Sequence, residues 1–189
     1  MPKPLRKLFL IRHAEKPVPE LGIAGVDLNG RPDRRSLSVR GWQRSAALVR
    51  YFAPLNGVFA HPALERPDAL FAASPRSKSQ RPMQTLLELA DELDLPIALQ
   101  HDSGADEAAL VEQARASASV ALVSWRQEHL PTLARQLLDE DVLVPDWDKS
   151  RFDLLWVLER APQGWRFQQV PQRLLPNDSA EIIGLTSAV

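Results

Sequence analysis

Continuous apolar runs alternate along the chain with stretches that carry apolar residues at helical spacing. The runs lie at residues 8–11 and 120–123 and within a predicted strand at 68–73, and the helical patterns lie at 39–52, 79–94, 105–116 and about 130–138. Short, unbroken apolar runs are typical of strands that helices cover on both faces. The pattern therefore predicts an α/β fold, a three-layer α/β/α sandwich with a mostly parallel sheet.

Two segments depart from this alternation. Residues 150–175 contain two strand-like runs, Phe152–Leu158 and Trp165–Val170, around a turn-like sequence, and they predict an antiparallel hairpin at the edge of the sheet. Residues 16–36 are rich in Pro, Gly, Asp and Arg without periodicity, which predicts a long, lid-like loop. We expect residues 1–189 to form a single domain that includes both segments.

Composition narrows the classes of partner. The chain of 189 residues has a net charge of −1 and no cysteine, so we expect no nucleic-acid partner, no disulfide and no cysteine-bound metal. The apolar run near the amino terminus, residues 8–11, is too short for a signal peptide, and no later run is long enough to span a bilayer. We therefore expect a cytoplasmic protein without a membrane partner. Nothing in the composition predicts the oligomeric state.

Polar residues suited to phosphate follow the three predicted parallel strands. They are Arg12 and His13, then Lys78 and Arg81, and lastly Arg126, Gln127 and His129. The carboxyl ends of parallel strands open on one edge, where ligands bind in α/β proteins. Guanidinium groups match the oxygens of phosphate, and imidazole is a candidate nucleophile near neutral pH. The arrangement predicts a phosphate-handling pocket at this edge.

Three motifs occur in an order that resembles a known family. Residues 12–15 read Arg-His-Ala-Glu after a strand, residues 37–41 read Leu-Ser-Val-Arg-Gly, and Ser74-Pro75 precede Arg81 and Gln84-Thr85. Over about residues 5–140 they resemble the histidine phosphatase superfamily, also called phosphoglycerate mutase-like. The carboxyl-terminal part is similar to a little-characterised bacterial branch of that superfamily.

The resemblance implies a phosphomonoesterase that needs neither metal nor other cofactor. His13 would attack phosphorus and form a phosphohistidine, which water then hydrolyses. Arg12 and Arg81, with Lys78 as a further cation, would hold the phosphoryl oxygens. The substrate would be a small phosphorylated metabolite.

Two roles stay open in the sequence. The family's second histidine falls at Gln127 by counting along the motif, whereas His129 lies two residues later, about 200° around a helix. Either residue is therefore a candidate for this position. The carboxylates that are candidates for protonating the leaving group are Glu15, Asp102, Asp106 and Glu107.

Two other functions remain as alternatives. A phosphoglycerate-type mutase would return the phosphoryl group to its substrate, but the family's mutases have longer chains than this one. A catalytically impaired phosphate-binding module would retain His13 without turnover, and Gln127 at the second-histidine position favours that alternative.

Overall fold

Six strands and four helices make up the computed structural model, which describes residues 4–75 and 79–184. The strands are β1 (Lys7–Arg12), β2 (Ala69–Ala72), β3 (Ile97–Ala98), β4 (Val120–Trp125), β5 (Leu154–Ala161) and β6 (Gly164–Pro171). The helices are α1 (Val39–Phe52), α2 (Arg81–Leu93), α3 (Glu107–Ser117) and α4 (Leu130–Arg135). Short 3₁₀ turns lie at Pro19–Leu21 and Gln127–His129. None of the helices in the described ranges is long and apolar enough to cross a lipid bilayer.

The strands form one mixed sheet in the order β3-β2-β4-β1-β5-β6. The first four strands of this order run parallel to one another. Strand β5 pairs antiparallel with β1, and β6 pairs antiparallel with β5. The α/β fold and its carboxyl-terminal edge hairpin are therefore confirmed. Arg12 pairs with Trp125 at the ends of β1 and β4, so the loops that follow these strands leave the sheet at the same edge.

Helices cover both faces of the sheet. Leu8 and Leu10 of β1 belong to a cluster that includes residues of α3 and α4, whereas Phe9 and Ile11 pack with residues of α1 and α2. Successive side chains of a strand point to opposite faces, so the four central positions of β1, residues 8–11, are all apolar. This burial on both faces explains why the parallel strands are visible in the sequence as continuous runs.

Two elements differ from the predicted pattern. The two-residue strand β3 was not predicted, because so short a strand carries no periodic signal. Helix α4 ends at Arg135, and the buried Leu137 and Leu138 continue the core from the turn that follows it.

Helix α1 packs against the backbone that follows β1. Ser38 caps the helix, its Oγ accepting a hydrogen bond from the Gly41 N–H at 3.2 Å. A Cβ on Gly41 would lie 2.4 Å from the carbonyl oxygen of Glu15 and 3.0 Å from Cβ of Leu37. The glycine therefore permits the close approach of α1 to the segment that carries His13.

A Gly41→Ala substitution tests this contact. Alanine ordinarily stabilises a helix relative to glycine, yet here the added methyl group would collide with backbone. We expect the free energy of unfolding, measured by urea denaturation, to fall by about 1–3 kcal/mol. In the control Ala46→Gly, at an exposed position of α1, we expect a loss of only about 0.5–1 kcal/mol. Stabilisation by Gly41→Ala would contradict the contact.

Candidate active site

A small polar cavity of about 80 Å³ lies at the carboxyl edge of the sheet. Its polar lining consists of His13, Ser74, Ser79, Arg81, Ser103 and Arg126. These residues follow β1, β2 and β4, begin α2, or precede α3. The fold thus brings residues from distant parts of the chain to the edge where the sequence predicts a pocket.

His13 is almost completely buried at the end of β1. Its Nδ1 lies 2.8 Å from the carbonyl oxygen of Ala14. Because a carbonyl only accepts hydrogen bonds, Nδ1 carries the ring proton and Nε2 keeps its lone pair. Burial, together with the positive charges of Arg12 and Arg81, lowers the pKa of His13 to about 3, against the opposing effect of the hydrogen bond to Ala14. The imidazole is therefore neutral near pH 7.

The motif around α2 fixes the backbone beside this histidine. Thr85 Oγ1 accepts a hydrogen bond from the Ala14 N–H at 2.8 Å and donates to the carbonyl oxygen of Arg81 at 2.8 Å. Gln84 Oε1 accepts from the Leu37 N–H at 2.9 Å. These residues hold the strand end, α2 and the start of α1 in one arrangement.

Arg81 and Arg126 supply positive charge to the cavity. Burial lowers the pKa of Arg81, and the nearby positive charge of Arg126 lowers it further. The Nε of Arg81 and the Oγ of Ser103 are buried and have no hydrogen-bond partner among the described residues. Two neighbouring guanidinium groups and unpaired donors favour an anionic oxygen as the ligand.

Arg12 lies beside this cavity and is not among its lining residues. Its Nη1 donates to the carbonyl oxygens of Lys149 and Arg151 at 2.5 and 3.2 Å, and its guanidinium carbon lies 3.7 Å from the ring centroid of Phe152. Burial lowers its pKa to about 10, against the opposing charges of nearby carboxylates. Its buried Nε has no partner within the described ranges. The predicted cation Lys78 lies outside the described residues.

The loop after β4 contributes Arg126 to the cavity, a residue to which the family motif assigned no role. Neither Gln127 nor His129 is among the residues that line the cavity. A Cβ placed on Gly104 would lie 3.0 Å from Nε2 of His129, so the imidazole packs against that glycine. Arg126 lines the cavity instead. The sequence feature that indicates a role for Arg126 is its position directly after the carboxyl end of β4.

Three solved structures resemble this fold. An ecdysone phosphate phosphatase from Bombix mori, in complex with tungstate, has a TM-score of 0.53 and 13% identity, with 97% of each chain covered. The protein histidine phosphatase SixA complexed with tungstate has a TM-score of 0.52 and 18% sequence identity, and the match covers 88% of this chain and 97% of that chain. A phosphoserine phosphatase variant from Entamoeba histolytica, in complex with phosphoserine, has a TM-score of 0.52 and 12% sequence identity. The match covers 89% of this chain and 98% of that chain.

The chain shares its fold with these three solved structures, each of which is called a phosphatase. No protein-family model matches the sequence. A search of curated proteins also found no match. At these identities the likeness extends to the fold, and function has to be argued from the site itself.

Three of the four candidate carboxylates accept hydrogen bonds or pair with arginine. Glu107 Oε1 accepts from the Gly104 N–H at 2.6 Å and from Trp125 Nε1 at 2.9 Å. Asp106 Oδ2 accepts from the Asp102 N–H at 2.8 Å, and Glu15 pairs with arginine. Asp102 Oδ1 is buried without a partner among the described residues, next in sequence to the cavity residue Ser103.

Glu15 belongs to a buried ion-pair network that joins the segment carrying His13 to the carboxyl-terminal region. Arg44 Nη2 lies 2.7 Å from Glu15 Oε1 and 2.7 Å from Asp178 Oδ1. Arg44 Nη1 also donates to Gln172 Oε1 at 3.0 Å. Glu15 thus holds the turn after His13 in place through Arg44.

Asp178 is the acidic anchor of this network. Burial alone would raise the pKa of its carboxyl group, but hydrogen bonds from Arg44 and from the Leu174 and Leu175 N–H groups outweigh burial and lower the pKa. A depressed pKa means that this contribution to stability is complete above about pH 4, the unfolded value, and is lost as pH falls through the folded value.

An Asp178→Asn variant is therefore expected to be less stable near pH 7. We expect a loss of about 3 kcal/mol in the free energy of unfolding, because Arg44 loses one buried negative partner. The difference from wild type should shrink below about pH 4, where the carboxylate becomes protonated. Urea denaturation at several pH values measures both effects.

The matched control is Asp146→Asn, at an exposed carboxylate. We expect this control to change stability by less than about 0.5 kcal/mol. Equal stability of Asp178→Asn and wild type near neutral pH would show that the network does not stabilise the fold.

Proposed function

We propose that the protein is a phosphomonoesterase in which His13 is the nucleophile. The observation that carries the proposal is a buried, neutral imidazole whose tautomer leaves Nε2 unprotonated, in a cavity that also contains Arg81 and Arg126. The three similar structures named above are all called phosphatases. They support this class of reaction.

The reaction consists of two displacements at phosphorus. In the first, the Nε2 lone pair of His13 forms an N–P bond while the ester P–O bond breaks, and its electron pair leaves with the alcohol oxygen. That oxygen takes up a proton. In the second, a water oxygen attacks the phosphohistidine and gives a proton to the carboxylate that protonated the alcohol, the N–P electron pair returns to Nε2, and inorganic phosphate leaves. A covalent intermediate divides one difficult step into two easier ones.

Arg81 and Arg126 stabilise the transferring group in both displacements. The phosphoryl oxygens carry negative charge throughout, and fixed positive groups in a site with little water stabilise that charge strongly. The depressed pKa of His13 serves the same chemistry, since a protonated imidazole has no lone pair with which to attack.

Asp102 is the carboxylate that we assign to protonation of the leaving oxygen. Its Oδ1 is buried and unpartnered among the described residues, and Ser103, the next residue, lines the cavity. The other three candidates already accept hydrogen bonds from arginine or from the protein's N–H groups.

A phosphate-release assay with and without a metal chelator, at about pH 7, tests the proposed nucleophile. Wild-type protein should hydrolyse an aryl phosphate equally with and without chelator, and His13→Ala should show no release above background. Folding of the variant is checked by circular dichroism. Activity retained by a folded His13→Ala protein would refute the proposal.

The same assay separates the alternative functions. A phosphate-binding module would release no phosphate in wild type while still binding inorganic phosphate. A mutase would transfer the phosphoryl group to a second hydroxyl of the substrate in preference to water, and the product would show this.

Paired substitutions test which residue of the third loop acts in the cavity. Arg126→Ala should reduce kcat by about 10²–10³-fold, the cost of losing one group that stabilises transition-state charge. His129→Ala should cause a much smaller loss, since His129 packs against Gly104 outside the cavity lining. Steady-state kinetics on both variants measures the difference. A larger loss for His129→Ala would assign the second-histidine role to His129 instead.

The role of Asp102 is tested with esters whose leaving groups differ in acidity. Asp102→Asn should slow hydrolysis of an alkyl phosphate by about 10²–10⁴-fold, because an alkoxide needs a proton in order to leave. A nitrophenyl phosphate, whose phenolate leaves without a proton, should be affected far less. Equal losses for the two esters would exclude Asp102 as the proton donor.

A further inference from the structure

We propose that an apolar cavity formed by residues 17–34 holds the organic part of the substrate, and that the substrate is a phosphomonoester of an apolar, uncharged alcohol. This inference rests on the proposed function. It assigns a substrate class to the same active site.

The cavity has a volume of about 400 Å³, within the range of roughly 300–1,000 Å³ that is typical of small-molecule sites. Its apolar lining includes Pro17, Pro19, Ile23, Ala24 and Pro32. The lining is thus suited to hydrocarbon surface, which is transferred favourably out of water.

The charged residues of the lining do not require a charged ligand. Asp33 Oδ2 accepts a hydrogen bond from Ser36 Oγ at 2.5 Å, and its Oδ1 accepts from the Arg35 N–H at 3.1 Å. Arg34 is exposed to water. Because the Asp33 carboxylate is already satisfied within the loop, the cavity favours a neutral group over a cation.

The cavity that contains His13, here called the phosphoryl cavity, is too small to hold more than the phosphoryl group of a substrate. Its volume of about 80 Å³ holds a few water-sized atoms, whereas a whole metabolite needs several hundred cubic ångströms. The organic part of any substrate must therefore lie outside the cavity that contains His13.

A hydrogen bond connects the linings of the two cavities. Arg81 lines the phosphoryl cavity, Arg34 lines the apolar one, and Arg81 Nη1 donates to the carbonyl oxygen of Arg34 at 3.0 Å. A phosphoryl group beside Arg81 would thus bring its ester oxygen and the attached carbon chain close to the loop. This contact selects the apolar cavity as the place for the leaving group.

The loop is held in shape by its own hydrogen bonds. Val18 and Ile23 exchange two backbone bonds, and the Asp33 N–H donates to the Gly25 carbonyl at 2.8 Å. A Cβ on Gly25 would lie 2.2 Å from the carbonyl oxygen of Asp33, so only glycine permits this approach. Trp42 of α1 anchors the loop by donating to the Val26 carbonyl at 2.8 Å. A cavity with a fixed shape binds without the cost of ordering a loop.

Two phosphate esters of primary alcohols, phenylethyl phosphate and glycerol phosphate, test the inference with leaving groups of similar chemistry. Wild type should hydrolyse phenylethyl phosphate with a kcat/KM about 10- to 100-fold higher, the gain expected for burying one apolar side group. Ile23→Asp should make the cavity polar and Ala24→Trp should fill it. In both variants the ratio of kcat/KM for the two esters should fall towards one, mainly through a higher KM for phenylethyl phosphate.

The control is Leu28→Ser, which removes an exposed apolar side chain of the same loop outside the cavity lining. It should leave the ratio unchanged. If wild type hydrolyses both esters equally well, or if Ile23→Asp and Ala24→Trp leave the ratio unchanged, the inference is wrong and the proposed phosphatase stands. If wild type hydrolyses neither these esters nor an aryl phosphate, the proposed function fails, and the inference fails with it.

Discussion

The burial of His13 at the end of a central strand is the constraint on which the rest of the site depends. A histidine in contact with water titrates near neutral pH, whereas burial lowers the pKa of His13 to about 3. The hydrogen bond to the Ala14 carbonyl then decides which nitrogen carries the proton. A neutral imidazole with a free lone pair on Nε2 follows from these two features. The parallel pairing of β1 with β4 places this nitrogen at the same sheet edge as Arg126.

Keeping this imidazole in place requires structure well beyond the cavity. The Thr85 hydroxyl accepts a hydrogen bond from the Ala14 N–H. Glu15 forms an ion pair with Arg44, which also pairs with Asp178 in the carboxyl-terminal region. The residues of the Arg-His-Ala-Glu motif therefore have different structural roles. His13 faces the cavity, while Glu15 belongs to the ion pairs that hold the segment. Arg12 is similarly engaged with the carbonyl oxygens of Lys149 and Arg151.

The sequence predicted the sheet, its helical layers and the edge hairpin because burial on both faces leaves a strong periodic signal. It also placed His13 and Arg81 in one pocket, since strand ends and helix starts are readable from pattern. It named Arg126 among the polar residues after β4 but gave it no role, because the conformation of that loop decides which of its side chains enters the cavity. The apolar cavity of the 17–34 loop was equally invisible, since its shape depends on backbone bridges such as that between Val18 and Ile23.

The most direct test of this account is to trap the covalent intermediate. Wild-type protein mixed with an excess of substrate and quenched rapidly in alkali, in which phosphohistidine survives, should carry one phosphoryl group. Peptide mass spectrometry should place that group on His13, and subsequent acid treatment should remove it. Turnover without any phosphoryl group on His13 in such a trap, or with the group on another residue, would contradict the account.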